Sequence, residues 1–200
     1  SSKDFFANPI SLAKEFYVLV DNEYELVETL TFDNNRTYIP SRIFSGYKGL
    51  KKIILSSSIK EIYSYAFYNC TSLEEIEFVS GLEKIYSDAF AECSSLVKLN
   101  LPEGIKTLST YVFDGCVSLE EIFIPSTVET FGIYSMFEWY NIKNIIVDSR
   151  NMNYQSIDGN LYTKDGTELL IYGYGKEEEE FVIPEGVTKT TKREIITKFV

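Results

Sequence analysis

The sequence predicts a solenoid of the α/β class, a stack of 23-residue coils that each add one short strand to a narrow parallel sheet. Three observations predict it. Phe44, Phe67, Phe90 and Phe113 are 23 residues apart, as are Cys70, Cys93 and Cys116. Leu50, Leu73, Leu96, Leu119 and Ile142 keep the same interval over five coils. The pairs Ile53 with Leu55, Ile76 with Phe78, Leu99 with Leu101, Ile122 with Ile124 and Ile145 with Val147 alternate with the two-residue period of a half-buried strand.

In chain order, residues 1–26 read as an N-terminal hairpin or partial repeat, because Phe16 to Val27 holds two apolar alternations around Asp21-Asn22. Regular coils occupy 27–148: Val27, Leu30 and Phe32 fall one period before Leu50, Ile53 and Leu55. Two further columns, Ile59-Leu82-Ile105-Val128 and Ile39-Ile62-Ile85-Leu108-Phe131, complete each coil. Met136 and Trp139 then replace the phenylalanine and cysteine of the pattern, so the coil there is reshaped. Phe181, Ile183 and Val187 repeat Leu99, Leu101 and Ile105 at an offset of 82, and the 36 residues from Val147 to Ile183 are one coil plus 13. The extra residues place an insertion in 149–180, where Asp158-Gly159-Asn160 and Lys164-Asp165-Gly166 flank Leu161-Tyr162 and predict hairpins. Residues 181–200 form a partial terminal repeat, and the chain reads as one solenoid domain, a piece of a longer protein.

A single coil cannot fold. Its buried apolar side chains contribute about 1.5–3 kcal/mol each, which falls short of ordering its backbone at about 1–2 kcal/mol per residue. Stability therefore requires each coil to cover the apolar edge of the next. Charges agree with parallel, in-register stacking: Lys52, Glu75, Lys98 and Glu121 alternate in sign, and so do Lys60, Glu83, Lys106 and Glu129.

Composition narrows function. With 30 acidic and 19 basic residues the net charge is −11, which repels a phosphate backbone and argues against nucleic acid. The sequence has no histidine, the usual general base near neutral pH and a common zinc ligand. No base, nucleophile and stabiliser converge in a motif, so neither an enzyme nor a cofactor is expected. No run is long and apolar enough to span a membrane, and Ser1-Ser2-Lys3-Asp4 does not start a secretion signal.

The coil reads A-F-x-x-C-x-x-L-x-x-I-x-L, and Cys70-Thr71-Ser72-Leu73-Glu74-Glu75-Ile76 and Cys93-Ser94-Ser95-Leu96 carry it most clearly. With Asn8-Pro9-Ile10-Ser11-Leu12-Ala13 and Tyr154 to Tyr162, these residues resemble the BspA-like leucine-rich repeats of bacterial surface proteins over about residues 8–188. The resemblance implies a curved right-handed leucine-rich-repeat stack with a short helical or irregular convex side. It also implies an exported or surface-attached protein that acts in adhesion or protein binding. One departure is that Tyr63, Tyr86 and Ser109 stand where the family has glycine, which is kept only at Gly132.

Two surface groups are the candidate binding sites. On the outer sheet face Phe123 and Ile146 are apolar neighbours flanked by Glu121 and Asn144. Tyr63, Tyr86, Tyr111 and Tyr134 gather where the second half-coil turns toward the Ala-Phe knob, and tyrosines suit partner contact. The insertion at 149–180 could instead cover Phe123 and Ile146. The cysteine column could be a metal or redox site, but small, buried residues with Tyr47 and Trp139 in the same column read as packing. Lys176-Glu177-Glu178-Glu179-Glu180 reads as a solvated loop, and the Asp and Asn residues of 148–158 as turn chemistry. The expectation is a monomeric module outside the cell, holding a protein or glycan; the alternative is a structural spacer without a localised site.

Overall fold

The computed structural model describes residues 17–20, 23–132, 139–177 and 180–190. The chain enters through an antiparallel hairpin, β1 (Tyr17–Val20) and β2 (Glu23–Leu26), with Val20 opposite Glu23. Each coil then supplies two strands, where the sequence had predicted one. The first set comprises β3 (Thr29–Thr31), β5 (Lys52–Ile54), β7 (Glu75–Glu77), β9 (Lys98–Asn100), β11 (Glu121–Ile124) and β13 (Asn144–Val147). The second comprises β4 (Tyr38–Ile39), β6 (Glu61–Ile62), β8 (Lys84–Ile85), β10 (Thr107–Leu108) and β12 (Thr130–Phe131).

Pairing within both sets is parallel with the 23-residue register: Ile53 lies opposite Leu30 and Ile76, and Ile122 opposite Leu99 and Ile145. The second set forms one continuous five-stranded sheet, whereas the first divides into β3-β5-β7 and β9-β11-β13. At that division Phe78 stands where other coils have Leu55, Leu101 and Ile124, and its ring meets Phe90 edge-on at 6.2 Å. The charge columns follow the same division. Lys52 pairs with Glu75 at 3.1 Å and Lys98 pairs with Glu121. No ion pair joins Glu75 to Lys98 among the described residues, and in the other charge column the contacts are between backbones, Glu83 N donating to Lys60 O and Glu129 N to Lys106 O, each at 2.8 Å.

The α/β class and the helical convex side are corrected: the described residues contain strands and turns and no helix. The backbone explains why. Two positions per coil are left-handed, one at Arg42, Tyr65, Asp88 and Tyr111 (φ 58–62°) and one at Gly46, Asn69, Glu92 and Gly115 (φ 59–78°). Around them the chain makes four-residue turns, closed by bonds such as Tyr68 N to Tyr65 O (3.2 Å) and Cys70 N to Phe67 O (3.3 Å). Two left-handed residues four positions apart interrupt this stretch of each coil and prevent the succession of right-handed residues that a helix needs there.

The core is a file of side chains one coil apart. Phe44, Phe67, Phe90 and Phe113 stack with centroids 5.3, 5.1 and 5.7 Å apart and planes within 13° of parallel. The leucine and isoleucine columns lie beside them, buried.

Beyond β13 the chain builds an antiparallel meander of β14 (Tyr154–Ile157), β15 (Asn160–Thr163) and β16 (Glu168–Ile171), and β17 (Lys189–Thr190) pairs parallel to β16. Asp158 and Gly159 join β14 to β15 with φ of 50° and 69°, the double positive φ of a type I′ turn. The terminal repeat differs from its sequence pattern. Ile183 is 46% exposed and Val182 74% exposed, although the residues matching Phe181 and Ile183 are the buried Leu99 and Leu101. Phe181 and Val187 instead join a small cluster around Tyr162, Leu169 and Tyr172, so this segment packs on the meander rather than on the coil core.

Candidate functional site

The cysteine column is the first group to place. All three thiols are free and buried, and each lies near the carbonyl oxygen of the phenylalanine 26 residues earlier: Cys70 to Phe44 at 3.2 Å, Cys93 to Phe67 at 3.3 Å, Cys116 to Phe90 at 3.4 Å. Trp139 takes the same role, its indole N–H donating to Phe113 O at 3.0 Å. Burial pushes the Cys70 thiol up to about 12 and those of Cys93 and Cys116 upward too, so they stay protonated and weakly nucleophilic. Their work is to satisfy buried carbonyls. Among the described residues no cluster of three or more His, Cys, Asp or Glu side chains could hold a metal ion.

On the first ladder the structure brings the sheet-face candidates together. Phe123 lies directly opposite Ile146 and Glu121 opposite Asn144. Asn144 Nδ2 donates to Glu121 Oε2 at 3.2 Å, and Glu121 also pairs with Lys98, whose ammonium holds the carboxyl below its ordinary range. Beside these fixed polar groups Phe123 is half-buried and Ile146 is 37% exposed. Among the described residues of the insertion, the β14–β15 turn meets the outer edge of β13, where Ile145 N donates to Gly159 O at 3.0 Å.

The tyrosine candidates divide into two columns. Tyr63 and Tyr86 belong to the second ladder with Tyr38: ring centroids are 5.3 Å apart for Tyr38–Tyr63 and 5.0 Å for Tyr63–Tyr86. Glu61 accepts from both hydroxyls, Tyr63 at 3.1 Å and Tyr86 at 3.0 Å, which raises the Tyr63 pKa above its ordinary value. Tyr111 is 36% exposed and belongs to the left-handed column with Arg42, Tyr65 and Asp88, in which the Arg42 guanidinium lies 4.2 Å from the Tyr65 ring centroid. Tyr134 lies outside the described residues.

Sequence reasoning missed Tyr38, the Glu61 bridge and Asn151. Asn151 falls 23 residues after Val128, so the apolar column continues onto a polar residue, a signal that was readable. It is fully buried; its Nδ2 donates to Pro125 O (2.9 Å) and Val128 O (3.0 Å), and its Oδ1 accepts from the amides of Asn153 and Tyr154 (both 2.9 Å). Nearby, Asp148 accepts from Arg150 N at 2.9 Å, and the Arg150 guanidinium holds its carboxyl at about 2. This is the turn chemistry expected there.

The two parallel ladders and the repeating apolar file define a leucine-rich-repeat solenoid. The family model for the BspA type leucine rich repeat region matches residues 22–143 in six copies, and the chain belongs to that family. Comparison with curated proteins finds no match. Among solved structures, a leucine-rich repeat protein from Eubacterium ventriosum is 23% identical with a TM-score of 0.67, over 82% of this chain and 50% of that one. The pneumococcal vaccine antigen PcpA is 22% identical with a TM-score of 0.55, over 87% and 49%. The leucine-rich repeat protein TpLRR of T. pallidum is 18% identical with a TM-score of 0.60, over 88% and 78%. The chain thus spans about half the length of the first two. Among the described residues no helix is long and apolar enough to cross a membrane.

Proposed function

We propose that this chain is a non-enzymatic binding module, displayed on the bacterial cell surface or secreted, that acts in adhesion by holding a protein partner against the outer face of its first ladder. One observation carries the reading. Phe123 and Ile146 stand opposite each other on adjacent strands, partly open to solvent, with Lys98, Glu121 and Asn144 held in place beside them. An apolar centre with a satisfied polar rim is the usual anatomy of a protein interface. Export is supported by family membership and by the likeness to a vaccine antigen. The module acts as a single-domain monomer and needs no cofactor.

The test begins by cross-linking the purified chain to proteins of the cell's natural surroundings, identifying the captured protein and measuring its affinity in purified form. Phe123→Ser combined with Ile146→Ser should weaken that affinity strongly while leaving the melting temperature nearly unchanged. Equal affinity for the double variant would reject the sheet face. Failure of any partner to bind in purified form would favour the alternative, a structural spacer.

A further inference from the structure

The second ladder has a solvent face of its own, and it differs in chemistry from the first. Its five strands present Tyr38, then Glu61 with Tyr63, then Lys84 with Tyr86, and end in Thr107 and Thr130, whose hydroxyls are 3.0 Å apart. We propose that this strip is a carbohydrate-binding site for an extended, neutral, β-1,4-linked glycan lying along the solenoid axis, one sugar ring to each coil.

Two observations select that occupant. The first is the step. Tyr63 and Tyr86 are equivalent residues one coil apart and their ring centroids are separated by the interstrand spacing, 5.0 Å, with planes at 64°, while Tyr38, whose register partner is Glu61, sets its ring diagonally 5.3 Å from that of Tyr63. That spacing matches one pyranose unit of an extended 1,4-linked chain. It does not match a peptide: side chains on one face of a strand recur at about 6.8 Å, and a polyproline turn advances about 9 Å.

The second observation is charge. The Glu61 carboxylate accepts from the Tyr63 and Tyr86 hydroxyls at 3.1 and 3.0 Å, and the Lys84 ammonium sits 4.3 Å from the Tyr86 ring centroid. The strip's two charges, opposite in sign, are thus engaged with its own tyrosines, which leaves little to recruit an ionic partner. It offers ring surface and a line of hydroxyl and carboxylate hydrogen-bonding groups, the complement of a sugar's apolar ring face and its equatorial hydroxyls. Tyr38 is 48% exposed, so the first ring of the file is open to a ligand.

The proposal is separate from the Phe123–Ile146 face, and each can fail alone. Calorimetry with the full chain should use cellohexaose and chitohexaose as probes, with maltohexaose and a proline-rich peptide as contrasts. Binding to at least one β-1,4-linked probe is expected, weakened roughly tenfold by Tyr86→Ala, the scale of one lost aromatic contact. Phe123→Ser with Ile146→Ser should not change it. Tyr63→Phe, which keeps the ring, should bind more tightly than Tyr63→Ala, and melting curves of each variant separate lost binding from lost fold. No binding to either β-1,4-linked probe overturns the proposal. So does equal or tighter binding of maltohexaose or the peptide, or binding that the tyrosine variants leave unchanged.

Discussion

The thiol of Cys93 donates to the carbonyl oxygen of Phe67, one coil behind it, at 3.3 Å. The contact explains why the column holds Cys70, Cys93 and Cys116 and why Trp139 can follow them: each is apolar enough for the core yet brings one donor to a buried carbonyl.

Thiol chemistry should follow from that burial. A disulfide reagent at pH 8 should label none of the three cysteines in the folded chain and all three in urea. Because the folded pKa is raised, to about 12 at Cys70, the cysteines' contribution to stability is fully present below the unfolded value of about 8.5 and is lost as pH rises toward the folded one. Urea midpoints measured from pH 7 to pH 10.5 should therefore fall, and less steeply in a variant with all three cysteines changed to alanine.

Phe90 has a stacked ring on either side, Phe67 at 5.1 Å and Phe113 at 5.7 Å. Phe90→Ala should cost about 3–5 kcal/mol. Since coils are stabilised mainly by their neighbours, the loss should also make unfolding depart from a single transition when fluorescence and circular dichroism are compared.

Glu92 is exposed and left-handed, with φ of 62°. Glu92→Gly removes about 1–2 kcal/mol of backbone strain against about 0.5–1 kcal/mol of added unfolded-state freedom. The variant should melt at a slightly higher temperature, and a clear drop would show that the Glu92 side chain makes a stabilising contact.

Asn151 donates to two carbonyls and accepts from two amides. Asn151→Asp sets an oxygen against both Pro125 O and Val128 O, so at pH 7 it should destabilise by more than the ~1–3 kcal/mol of one unsatisfied buried group. Acid should partly rescue it, because the protonated carboxyl regains a donor. Chemical denaturation at pH 7 and pH 4 measures both effects.

Glu74 N donates to Lys51 O and Glu120 N to Val97 O, each at 2.8 Å, but the matching bond from Val97 N to Glu74 O is absent at the division of the first ladder. The Val97 amide should exchange with deuterium faster than those of Glu74 and Glu120. Equal protection would mean that the ladder is continuous in solution.

Much of this architecture was legible from the period. Ile53, Ile76, Leu99 and Ile122 share one column in the sequence and lie in parallel strands of the first ladder. The Asp158-Gly159 signal marks a hairpin turn because few other dipeptides tolerate two positive φ values. The helical convex side was not legible as wrong, since Arg42, Tyr65, Asp88, Tyr111 and Glu92 are residues that seldom announce a left-handed backbone. Nor was the division of the tyrosines. Tyr63 and Tyr111 look like one cluster along the chain, yet one belongs to a strand column and the other to a turn column.

By itself, the sequence determined the interval, the register and the identity of the buried file, because hydrophobic burial at a fixed spacing admits few arrangements other than stacking. Only the tertiary structure decided which backbone groups pair. It placed a second ladder beside the first, broke the first at Phe78, and drew Tyr38, Glu61, Tyr63 and Tyr86 into one strip. Those outcomes depend on local backbone geometry and on contacts between residues more than 20 apart, which a repeat of residue types does not specify.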